Sequence, residues 1–131
     1  MADLDYIARK ARAAREFEHQ AGPARFTLRV PTKLESSVAY AESIGTSKRR
    51  DAATSLRFHR ALIVLAVIGW SGVLVRHVLP SHPDDAEAFA FEPGAAEVLF
   101  DAKPEWEAAL MQELMTRIAD RQAAEDSAAK N

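Results

Sequence analysis

Residues 61–75 read ALIVLAVIGWSGVLV, with Arg60 and Arg76 at the borders. As a helix this run would rise about 22 Å, short of the roughly 30 Å of hydrocarbon in a bilayer. Gly69, Ser71 and Gly72 also interrupt it. A buried core helix followed by an extended piece is therefore expected, in place of a membrane span. The helix is placed over 51–68. Leu56, Leu62, Ile63, Leu65, Ala66, Val67 and Ile68 leave its second half apolar all round, which calls for burial on most sides. Gly69-Trp70-Ser71-Gly72 is expected to break it, with Val73 to Val78 extended.

Upstream, Leu4, Ile7, Ala8, Ala11, Ala14 and Phe17 recur at helical spacing. A helix over 3–19 is expected, capped by Asp3 and ended by Gly22-Pro23. Phe26, Leu28 and Val30 alternate with polar residues, a short strand stopped by Pro31. Thr32 and Glu35 match a capping box. Leu34, Val38 and Ala41 then predict a helix over about 33–43, stopped at Gly45. Ser47 to Asp51 reads as a polar linker or as the next helix's first turn.

Downstream, Leu79 to Ala90 has the Pro and Asp content of a loop. Pro93 predicts a helix over 93–102, and Pro104 opens a last helix. There Trp106, Leu110, Leu114 and Ile118 share one face, with Met111 and Met115 beside them. Large apolar residues stop at Arg121. The expected architecture is a mainly α, small single-domain fold of about five helices with one or two short extended segments. Its organisation is a loosely docked N-terminal helix (1–22), a helical core (23–121) and a disordered tail (122–131). No internal repeat is visible.

A chain of 131 residues with 48% hydrophobic content can bury one real core. With no cysteine, disulfides, thiolate metal sites and cysteine nucleophiles are excluded. The first 20 residues are charged throughout and carry no secretory signal, so a cytoplasmic protein is expected. Charge is divided: residues 1–60 hold 12 Lys/Arg against 7 Asp/Glu, net +5, and residues 61–131 hold 5 against 12, net −7. The two halves can face each other in one fold, or copies can associate head to tail.

No group of residues argues for catalysis. His77 and His82 with Asp84 and Asp85 come nearest to a metal set, but their spacing and two prolines fit a solvated loop. There is no glycine-rich phosphate loop and no nucleophile elbow. Glu105, Glu107 and Glu113 read as a solvated helix face. Enzyme activity, cofactor and metal are therefore not expected. Arg9, Lys10, Arg12 and Arg15, and Lys48 to Arg50 with Arg57 and Arg60, form two basic clusters. Without interleaved aromatics they suit a solvated helical face, or a surface for an acidic protein partner, better than nucleic acid.

Gly69-Trp70-Ser71-Gly72-Val73 resembles a Gly-Trp-x-Gly-Val element of small tail assembly chaperones of long-tailed bacteriophages. There, too, an apolar helix precedes the element. The likeness continues through Phe91, the run 95–99, and Pro104-Glu105-Trp106 leading to Leu110. Upstream, Phe26 to Pro31 is similar to the extended start of such proteins. The segment 76–90 departs from it, being longer and richer in Pro and Asp than a tight turn. The resemblance implies a transient scaffold that binds the tape measure protein and recruits tail tube subunits. It also implies a longer frameshifted form in many members. A groove around Trp70, Val73, Trp106 and Leu110 would suit such a role, because Trp anchors often dominate helix-in-groove contacts. Both indoles can equally be core residues. Two other functions stay open: a tail completion or connector subunit, and a nucleic-acid-binding regulator using the basic half.

Overall fold

The computed structural model describes residues 3–45 and 52–130. Its centre is a three-stranded antiparallel sheet, β1 (Glu16–Ala21), β2 (Ala24–Arg29) and β3 (Val67–Ser71), in the order β1-β2-β3. Six helices surround it among the described residues: α1 (Leu4–Ala13), α2 (Lys33–Ile44), α3 (Ala52–Ala66), α4 (Val75–Val78), α5 (Ala95–Ala102) and α6 (Pro104–Ala129). The expectation of a mainly α fold is thereby corrected. The class is α+β, and the extended segments are a full sheet whose one face backs the core.

Two helix boundaries account for the difference. The helix expected over 3–19 ends at Ala13, and residues 16–21 pair with β2 in the register Phe17↔Leu28 and Ala21↔Ala24. Gly22-Pro23 is the hairpin turn between them. Gly22 has φ +58°, as the first central residue of a type II′ turn requires. The helix expected over 51–68 ends at Ala66, and Val67 to Ser71 pairs with β2 in the register Phe26↔Trp70 and Leu28↔Val67. The register shifts between Thr27 and Leu28, so Ile68 is the extra residue of a β-bulge. Gly69 and Trp70, expected as a helix break, lie inside β3. Of the extended run expected over 73–78, the last four residues form α4.

One face of the sheet is buried. Phe17, Ala21, Ala24, Phe26, Leu28 and Val67 point into the core, while Glu16, Glu18 and Arg25 face outward. That division is usual for an antiparallel sheet. Leu62 and Ile63 of α3, Leu99 and Phe100 of α5, and Leu110 and Leu114 of α6 complete the same core. Arg117 of α6 lies over the Phe17 ring, 4.7 Å from its centroid.

The capping box at α2 is formed as expected. Thr32 Oγ1 accepts the Glu35 N–H at 3.1 Å, and Glu35 Oε1 accepts the Thr32 N–H at 3.0 Å. The carboxyl also accepts from Arg29 at 2.8 Å. The Thr32 N–H, and then the Arg29 charge, hold Glu35 below the ordinary carboxylate range. α2 packs on α3, with Tyr40 edge-on to Phe58 at 5.3 Å. The linker expected over 47–51 lies outside the described residues.

The segment 79–90 has no helix or strand of its own, yet it is tied back to the core. Val75 N–H donates to Glu87 O at 2.8 Å, and Phe89 N–H donates to Val73 O at 2.9 Å. α5 begins at Ala95, two residues after Pro93, and α6 begins at Pro104 as expected. α6 is helical through Ala129, so most of the stretch read as a tail lies on this helix. No helix among the described residues is long and apolar enough to cross a membrane.

Candidate protein-binding groove

Of the four residues expected to line a groove, three lie in the core. Val73 is 2% exposed, Trp106 8% and Leu110 0%. The two indoles converge on one buried ring: Phe26 lies 5.9 Å from Trp70 and 6.3 Å from Trp106, edge-on to each. Trp106 is caged further by the His77 ring at 5.1 Å and the Lys103 ammonium at 5.6 Å. A Cβ on Gly22 would come within 2.8 Å of the Trp106 ring. Trp70 is half-buried. Its Nε1–H donates to Phe89 O at 2.7 Å, and its ring meets Phe89 and Phe91 at 5.9 and 5.0 Å. As folded, these residues build the core and present little surface to a partner.

His77 is one of the groups around Trp106. Its Nδ1 accepts the Leu74 N–H at 2.9 Å, which requires that nitrogen to be unprotonated. Burial, and then Arg76 and Lys103, lower its pKa below the ordinary 6.5. The unfolded chain therefore takes up this proton more readily than the folded one. Stability from His77 is complete above about 6.5 and is lost as the pH falls from there to the lower folded value. Urea denaturation of the wild type and of His77→Gln is expected to show this as a steeper loss in the wild type below that pH. Parallel profiles for the two chains would contradict it.

The apolar surface available to a partner lies elsewhere. α3 forms the floor of an open groove of about 1370 Å³ with Ala61, Val64 and Leu65. Leu34 and Val38 of α2 form one wall, and Ala108, Met111 and Met115 of α6 form the other. Leu34 is 74% exposed, Val38 48% and Met115 44%. Full burial of such side chains is worth about 1.5–3 kcal/mol each, before the cost of association.

Arg60 sets the polar boundary of this groove. Its guanidinium donates to both carboxylate oxygens of Glu107 and, at 2.8 Å, to Asp101. The hydrogen bond to Glu107 raises its pKa above the ordinary value, so the charge is fixed. Arg57 donates to Ser43 O at 2.9 Å and to Thr54 Oγ1 at 3.2 Å. The two arginines of the second basic cluster within the described residues are thus engaged inside the fold.

The groove has a sequence signal after all. On α6, Ala108, Met111 and Met115 form a second apolar stripe, with Gln112 at its edge, beside the buried Trp106, Leu110 and Leu114. A helix with two apolar stripes can serve two partners, one the core and one from outside. Among the described residues, no group of three or more His, Asp or Glu side chains could hold a metal ion.

Comparison with protein-family models, with curated proteins and with solved structures returns no match to this chain. The groove and the sequence resemblance therefore carry the functional reading between them.

Proposed function

We propose that the protein is a helix-binding chaperone, acting in phage tail assembly, whose client is an apolar face of the tape measure protein. The open groove between α2 and α6 supports the helix-binding part of this reading, and the sequence resemblance alone supplies the client. Its exposed apolar walls are matched to the i, i+3, i+4 face of an amphipathic helix. A tape measure protein is long and helical, and its apolar faces need cover until the tube encloses them. Binding, without covalent chemistry, is all the role requires. Tail tube subunits would be recruited by surfaces outside the groove.

Met115, exposed on the α6 wall, and the partly buried Met111 suit a binding surface that adapts to differing helical faces. Their unbranched side chains can repack against differing surfaces.

The test is co-expression with the long helical protein whose reading frame lies beside a tail tube gene in the same genome. The wild type is expected to co-purify with it and keep it soluble. Val38→Asp with Met115→Glu places two charges on opposite walls at exposed positions. This variant should lose client binding by roughly two orders of magnitude, while its unfolding free energy in urea changes by no more than about 0.5 kcal/mol. Undiminished capture by a folded variant would refute the groove reading. Recovery of the chain from finished, purified particles would favour a connector subunit instead.

A further inference from the structure

α1 has an apolar face that the rest of the described residues leave exposed. Leu4, Ile7, Ala8 and Ala11 fall on one side, and no residue of this helix is buried. Leu4 is 78% exposed and Ile7 49%. A helix of ten residues is too short to be stable on propensity alone, so this face needs cover.

The joint to the sheet keeps α1 off its own core. Ala14 N–H donates to Lys10 O and Arg15 N–H to Arg12 O, each at 3.0 Å. Arg15 O accepts the Val30 N–H at 2.9 Å, and the Arg15 guanidinium donates to Pro31 O at 3.2 Å. Helix and strand therefore join with no slack residue between them. Swinging α1 inward would break these bonds.

Size and charge point to one occupant. A helix of this length rises about 15 Å, and the α6 wall from Pro104 to Met115 rises about 17 Å. α1 carries Arg9, Lys10 and Arg12 against Asp5, net +2. In the groove lining Glu35 is paired with Arg29 and Glu107 with Arg60, so its excess of negative charge rests on Glu42 and Glu97 against Arg57. Opposite signs guide the helix in and favour it over an acidic competitor.

We propose that the groove of one copy holds α1 of a second copy, and that reciprocal exchange gives a two-fold dimer. The proposal rests on reading the groove as a helix-binding site. In the free protein α1 shields the apolar walls, and the tape measure helix displaces it. An isologous pairing of this kind closes on itself and leaves no surface to propagate a filament.

The absence of cysteine makes a clean test, since only introduced thiols can react. Ile7→Cys and Met115→Cys replace exposed residues on the helix and on the wall. Mixing the two full-length variants under mild oxidation is expected to yield a covalent pair containing one of each. Sedimentation equilibrium should find the wild type as a dimer, and Leu4→Asp with Ile7→Asp should weaken that dimer roughly tenfold or more. A monomeric wild type would overturn the exchange. So would cross-linking only between two Ile7→Cys chains, or closure within a single chain carrying both substitutions. Client capture separates this failure from failure of the groove itself. A monomer that captures the client through the groove walls loses only the exchange, whereas capture insensitive to Val38→Asp with Met115→Glu removes both.

Discussion

Phe26→Ala is expected to cost about 3–5 kcal/mol of folding stability, a large share of the roughly 5–15 kcal/mol that holds a domain together. The ring is 0% exposed and sits where the sheet, α5 and α6 meet. It touches Trp70 and Trp106 edge-on, and Phe100 at 6.5 Å in a tilted arrangement. Truncation removes three aromatic contacts and leaves a cavity whose walls come from different elements. Those walls cannot collapse together without breaking β2 from its neighbours. Phe91→Ala is the comparison, because Phe91 meets Trp70 from the solvent side and is 36% exposed. Its loss should be about 1 kcal/mol. Urea denaturation followed by Trp fluorescence measures both. A Phe26→Ala chain within about 1.5 kcal/mol of the wild type would contradict this account of the core.

The second large effect separates the two glycines of the Gly-Trp-x-Gly-Val element. Gly72 has φ +80°, and a Cβ there would lie 2.9 Å from the Pro23 carbonyl oxygen. Gly72→Ala therefore meets left-handed strain and a backbone clash together, at a combined cost of about 2–3 kcal/mol. Gly69 has ordinary backbone geometry and open space where a Cβ would go. Gly69→Ala should fall within about 0.5 kcal/mol of the wild type. Equal midpoints for the two variants in thermal or urea denaturation would show that the close approach of Gly72 to the hairpin turn is not a constraint. The element is then read as a packing device. It ends β3 against the β1–β2 turn and sets Trp70 on Phe26.

Much of the fold could be read from the chain, and the misreadings share a cause. The α2 capping box, the alternation of β2 and the Pro104 start of α6 are local signals, and each appears where local chemistry places it. β1 reads Glu-Phe-Glu-His-Gln-Ala, with only Phe17 as a large apolar residue. An Ala-rich helical pattern runs into it from upstream. Its strand state comes from pairing with β2, a partner that periodicity does not reveal. β3 continues the apolar run of α3 without interruption, and an unbroken apolar run reads equally as buried helix or buried strand. The β-branched Val67 and Ile68 and the aromatic Trp70 were the available signal, masked by the glycines on either side of the indole. The site was harder still. Its walls come from Leu34, Val38, Met111 and Met115, separated by up to 81 positions and joined only by the fold. Tryptophan is a frequent anchor type at interfaces, but here burial claims Trp106 outright and much of Trp70.

α3 passes into β3 directly, Ala66 to Val67, with no intervening turn. The groove floor and the third strand are thus one continuous piece of chain, each held by its own partners in the core. Compliance has to come from the walls, where the thioether side chains of Met111 and Met115 can slide between rotamers at little cost. On the proposed function, a bound helix would be selected by the bulk it presents toward α3 and less strictly along α6.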